Sequence, residues 1–118
     1  MRAEACLEAF QAVLPNCETI KEAYERAAVM PAPRFFCTFA VAYKRVSELE
    51  KFGKRVDNPM KAAMYDEIHR RWKAKGVKHY VVLEDIINEP APSFYVEPDT
   101  FKELVYKAMR NHKRKNKC

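Results

Sequence analysis

Pro31-Ala32-Pro33-Arg34-Phe35-Phe36 returns 59 residues later as Pro90-Ala91-Pro92-Ser93-Phe94-Tyr95. Each copy sets two prolines, which fix φ and lack an N–H, ahead of two large rings. No helix runs through such a string, so each copy marks a break in the chain at a known place. Recurrence at a fixed spacing is the mark of a duplicated unit. The match extends outward. At an offset of 58, Cys6, Phe10 and Leu14 correspond to Met64, Ile68 and Trp72. At an offset of 59, Tyr24, Ala27 and Ala28 correspond to Leu83, Ile86 and Ile87, and Ala42 and Val46 to Phe101 and Val105. One inserted residue near Gly76 reconciles the two offsets.

Apolar spacing predicts helices over 2–14, 17–29, 39–50, 59–74, 79–88 and 98–111. Stop and start signals frame them: Pro15, Pro31 and Pro90 end helices, Gly76 is a C-terminal stop, and Asn58-Pro59 places an N-cap before a proline at the first helical position. Asn16 and Thr38 are expected N-caps. The run Val81-Val82-Leu83 with Ile86 and Ile87 is short enough to be a strand by itself. Its correspondence with 17–29 assigns it to a helix.

Each unit therefore reads helix, helix, proline step, helix. The expected fold is all-α, a tandem pair of three-helix, helix-turn-helix-like units packed as one compact domain. The expected boundaries are 1–50 for the first unit, 51–58 for a linker, 59–111 for the second unit and 112–118 for a basic tail. Units of this size are marginal alone, which predicts that the copies pack together. Two glycines in the chain are too few for a β-sandwich or barrel with its many tight turns.

Charge is distributed in blocks. The net charge is +6, with residues 1–50 near neutral, 51–80 basic, 81–106 acidic and 107–118 basic without a single acid. Basic blocks attract phosphate backbones, although charge runs are also ordinary solvated faces and tails. The N-terminus lacks the apolar core of a secretory signal, and four scattered cysteines, none in a C-x-x-C pair, read as reduced thiols of a cytoplasmic protein. Pro31, Pro33 and Arg34 interrupt the one apolar stretch long enough to raise the question of a membrane span.

Signals for catalysis are sparse. The metalloprotease, nucleophile-elbow and P-loop strings are all missing. His69 reads as a helix-flank residue, and Cys17 and Cys37 as buried thiols rather than nucleophiles. The cysteines are too scattered for a zinc site. No catalytic residue, cofactor or metal is expected, and no enzyme activity.

The order of helices points elsewhere. In helix-turn-helix proteins the helix after the turn enters the major groove. Here the reading helices would be 39–50, with Lys44 and Arg45, and 98–111, with Lys102, Lys107 and Arg110 continuing into Lys113, Arg114 and Lys115. Arg70, Arg71 and Lys73 add cations from the 59–74 helix. These residue types contact phosphates and guanine edges. Three features run against the pattern: the intervening segment is longer than the usual 3–4-residue turn, Glu97, Asp99 and Glu103 put acid at the start of the second reading helix, and the first half carries no net positive charge. The four aromatics Phe35, Phe36, Phe94 and Tyr95 are expected in the core. The copies differ at Arg34 against Ser93, and activity is expected where the copies diverge.

The strings Pro31–Phe36, Asn58-Pro59-Met60-Lys61 and Pro90–Tyr95 resemble those of a group of small bacterial proteins found in phages and mobile elements, which carry Pro-Ala-x-x-Phe-Tyr-type steps before a helix. The resemblance implies a phage or mobile-element setting and transfers no activity or site. The expectation is a non-enzymatic nucleic-acid-binding accessory protein, with double-stranded DNA as partner. The alternative is a protein-interaction or structural module, such as a phage-encoded inhibitor of a host protein, or one that self-associates.

Overall fold

The computed structural model describes residues 2–76 and 79–116, with side chains as far as residue 111. Among these residues there is no β-strand. Six α-helices form: α1 Arg2–Val13, α2 Ile20–Ala28, α3 Phe39–Phe52, α4 Pro59–Ala74, α5 Leu83–Ile87 and α6 Pro98–Asn116. Single 3₁₀ turns at Leu14–Asn16 and Tyr80–Val82 precede α2 and α5.

The caps explain the boundaries. Thr19, rather than Asn16, begins α2: its Oγ1 accepts from the Glu22 N–H at 3.1 Å, while the Glu22 carboxylate accepts from the Glu18 N–H at 3.0 Å. This Thr-x-x-Glu arrangement satisfies two otherwise orphaned donors. Asn16 lies inside the 3₁₀ turn that Pro15 opens. Thr38 and Asn58 cap α3 and α4 as expected. Gly53, at φ 63°, closes α3 in the left-handed region, with the Lys54 N–H reaching back to the Glu48 carbonyl; the αL conformation is what glycine alone adopts without penalty.

The chain divides into two compact units, 33–91 and a second made of 1–32 with 92–118. This grouping differs from the consecutive 1–50 and 59–111 expected from sequence order. Helix α3 packs with α4 and α5, and α6 packs with α1 and α2. Both unit boundaries fall inside the proline steps, after Ala32 and after Ala91. The reason lies in the steps themselves. Two prolines around an alanine keep the backbone extended and cannot fold it back onto the helix just finished. Each step therefore delivers its following helix to the other unit.

In the 33–91 unit, Phe35, Ala42, Val46, Ala62, Met64, Tyr65, Ile68, Trp72, Leu83, Ile86 and Ile87 are buried. The Phe35 N–H donates to the Ile87 carbonyl at 2.9 Å, tying the step to the end of α5. Trp72 stacks on Tyr80 with centroids 5.1 Å apart, and Tyr80 meets Tyr43 at 4.8 Å. The Trp72 indole N–H donates to the His79 carbonyl at 3.2 Å.

The unit of 1–32 and 92–118 is built from α1, α2 and α6. Its core is Cys6, Leu7 and Phe10 from α1, Ala23, Tyr24, Ala27 and Ala28 from α2, and Phe94, Phe101, Val105 and Ala108. Phe10 stacks on Tyr24 at 4.6 Å, and Phe94 meets Phe101 edge-on at 5.4 Å. The Phe94 N–H donates to the Ala28 carbonyl at 3.3 Å. Residues 94 and 28 correspond to 35 and 87, so the same bond is made in both units. Of the four aromatics expected in the core, Phe35 and Phe94 are buried, whereas Phe36 and Tyr95 are only half-buried.

The Arg34/Ser93 difference is absorbed locally. Arg34 donates to the carbonyls of Phe35 and Cys37 at 3.1 and 3.3 Å. Ser93 Oγ donates to the Ala28 carbonyl at 3.3 Å and accepts from the Tyr95 N–H at 3.1 Å. Each residue braces its own step.

Candidate nucleic-acid interface

The cations proposed from sequence fall into two groups. Those on α4 face acids. Glu67 receives both Arg70 and Arg71, the latter from Nε at 3.1 Å. These bonds, Arg70 foremost, hold the Glu67 carboxyl below its ordinary range despite some burial. Arg71 also donates to Glu89 at 3.3 Å and to the Pro90 carbonyl at 2.9 Å, with its guanidinium 4.9 Å from the centre of the Phe35 ring. Lys73 lies 3.7 Å from Glu50, which also meets His69 at 2.7 Å. On α3, Arg45 pairs with Glu48 at 3.4 Å and bonds Tyr65. Arg45 and Arg71 thus serve the fold of their own unit. Lys44 is exposed and forms no ion pair among the described residues.

Helix α6 presents the second group. Lys107 and Arg110 are exposed, and neither forms an ion pair among the described residues. Lys113, Arg114 and Lys115 lie within the same helix, which continues to Asn116; their side chains lie outside the described residues. Among the described side chains of α6 the last buried one is Ala108. The tail expected at 112–118 is helical as far as Asn116.

A groove of about 750 Å³ opens between α2 and α6, lined by Ile20, Lys21, Tyr24, Glu25, Glu97, Pro98, Asp99, Lys102 and Tyr106. Tyr106 is 44% exposed. Its ring meets the buried Tyr24 edge-on at 6.5 Å, and the Lys102 ammonium lies 5.6 Å from its centre. Burial, and secondarily a hydrogen bond to Tyr106, raise the Tyr24 hydroxyl above its ordinary pKa. Lys102 was visible in the sequence as a cation of the last helix. The contribution of Ile20, Lys21 and Glu25 was not, because the pairing of α2 with α6 depends on helices far apart in sequence.

The helix pairs expected to form helix-turn-helix motifs, α2 with α3 and α5 with α6, are divided between the two units. Burial pushes the thiols of Cys6 and Cys37 up to about 11, the opposite of what a nucleophile requires. Among the described residues no three His, Cys, Asp or Glu side chains gather as metal ligands, and no helix is long and apolar enough to cross a membrane. Comparison with known protein families, with curated proteins and with solved structures gives no match.

Proposed function

We propose that the protein binds nucleic acid, DNA in the first instance, through the C-terminal half of α6, as a non-enzymatic accessory protein of a phage or mobile element. One observation carries this reading: α6 extends unbroken to Asn116 and so sets Lys107, Arg110, Lys113, Arg114 and Lys115 on one helix, the first two exposed and without ion pairs among the described residues. Exposed cations on an already ordered helix, as Lys107 and Arg110 are, meet phosphates at little cost in ordering the backbone. Arg70, Arg71 and Lys73 of α4 are engaged with Glu67, Glu89 and Glu50 and leave the proposed interface. Because the helices of each presumed helix-turn-helix lie in separate units, the contact is made by a single helix and not by a paired motif.

The test is fluorescence anisotropy with a labelled duplex over a salt series. Neutralising five phosphates gives a slope of log K against log salt of about −4 to −5. Removal of residues 111–118 should reduce the slope by more than half, and Lys107→Glu with Arg110→Glu should abolish binding at moderate salt. A chain that binds no nucleic acid at low salt, or whose binding survives both changes, overturns this reading.

A further inference from the structure

The groove between α2 and α6 has a counterpart in the other unit that is already filled. Lys102 corresponds to Tyr43, and Lys21 to Tyr80, at the 59-residue offset. In the 33–91 unit those two tyrosines lie ring against ring at 4.8 Å, with Trp72 stacked behind Tyr80. In the unit of 1–32 and 92–118, lysines stand at both positions and the space is open, walled by Tyr24, Tyr106, Ile20 and Pro98. The scaffold therefore accommodates aromatic rings at this place, and one copy has exchanged them for cations.

The α6 side of the groove changes character along the helix, while α2 contributes Lys21 and Glu25 to the other wall. Glu97 and Asp99 line its end at the start of the helix, Lys102 and Tyr106 follow, and Lys107 and Arg110 come next beyond the groove. At 1.5 Å per residue, Asp99 and Tyr106 are about 10 Å apart along the axis, and Tyr106 and Arg110 about 6 Å. An unpaired nucleotide has matching parts at matching spacing: a phosphate for the cations, a flat ring for Tyr106, and amino or imino N–H groups for carboxylates.

Resting on the nucleic-acid reading of α6, we propose that this groove takes an unpaired base of a single-stranded nucleic acid, stacked on Tyr106 with Lys102 and Lys21 moving to its flanking phosphates. Lys102 covers the Tyr106 ring in the free protein and yields that face to the base. The stacking is sequence-tolerant because every base presents a π-face. A duplex keeps its bases inside the helix and can use only the cations of α6.

The experiment compares a short mixed-sequence single strand with its duplex, by anisotropy at constant salt, on the full chain and three variants. Tyr106→Ala should weaken single-strand binding by about tenfold or more and leave duplex binding unchanged. Tyr106→Phe keeps the ring and should retain wild-type single-strand affinity, separating stacking from loss of the hydroxyl bond to Tyr24. Lys107→Glu with Arg110→Glu should weaken both ligands together. Equal losses for both ligands in Tyr106→Ala, or none for either, overturn the groove proposal while leaving the α6 reading standing. Absence of binding to either ligand by the wild type overturns both. Displacement of the single strand from the groove by a lysine-rich aromatic peptide that binds the wild type more tightly assigns the groove to a protein partner and overturns the proposal.

Discussion

The guanidinium of Arg71 lies 4.9 Å from the centre of the buried Phe35 ring. Through Glu67, Glu89 and the Pro90 carbonyl the same side chain joins the middle of one proline step to the beginning of the other. Its neighbour Arg70 is 67% exposed and pairs with Glu67.

The two adjacent arginines should therefore behave differently in denaturant. Arg71→Ala should cost about 2 kcal/mol, since it removes charge-assisted bonds and the ring contact. Arg71→Lys should recover less than half of that, because an ammonium reproduces neither the fork nor the stacking. Arg70→Ala should fall within about 0.5 kcal/mol of wild type. Urea titrations followed by far-UV circular dichroism measure all three, and a large effect at Arg70 would contradict the assignment.

Limited trypsin digestion offers a test of the grouping of helices. Lys54 and Arg55 follow Gly53 in the exposed segment between α3 and α4. A cut there leaves α1, α2 and α3 on one fragment and α4, α5 and α6 on the other. Each unit draws on both fragments, so the nicked protein should elute with the intact one. The separated fragments should lose most of their helicity and regain it on mixing. Two independently helical fragments would instead restore consecutive units of 1–50 and 59–111.

Stability should decline in mild alkali. The Cys6 and Cys37 thiols are raised from 9.0 to about 11 by burial. Between these values the unfolded chain has released protons that the folded chain still holds, so unfolding becomes progressively easier as pH rises. The contribution is complete below pH 9 and is lost on approach to 11. Tyr24 and Tyr65 are also raised by burial and act in the same direction at higher pH. The urea midpoint should fall from pH 8.5 to 10.5, and a Cys6→Ala, Cys37→Ala double variant should show a flatter profile relative to its own value at pH 8.

Gly53→Ala should destabilise by about 1 kcal/mol. No atom lies within 4 Å of the added methyl, so the cost is conformational, from φ 63° at the end of α3. Thermal melts should show the same loss in Gly53→Ala whether or not nucleic acid is bound.

The position of every helix was legible from apolar spacing and prolines, but several boundaries were not: the helix expected over 79–88 is a 3₁₀ turn, Tyr80–Val82, leading into α5, Leu83–Ile87. The start of α2 moved from Asn16 to Thr19 because a Thr-x-x-Glu cap outcompetes an asparagine that follows a proline. The early end expected for α6, at 111, overlooked the helix propensity of the lysines and arginines beyond it. Partnership between helices was out of reach: spacing shows which face of α6 is buried, and not that α1 covers it. The same limit applies to the site. Glu67 stands three and four residues before Arg70 and Arg71 and its pairing with them could be read directly, whereas Glu89, 18 residues from Arg71, is brought there only by the fold.

The nesting of one unit inside the other has a kinetic consequence. Residues 33–91 form an uninterrupted stretch in which α3 reaches α4 across a short loop. The corresponding partners in the other unit, α6 and α1, meet only after the whole intervening chain has been spanned. Closure of that contact carries a larger entropic cost and a higher contact order. The inner unit should therefore acquire protected amides first during refolding, and the packing of α6 on α1 and α2, which holds the basic helix and its groove, should be the last to form and the first to open.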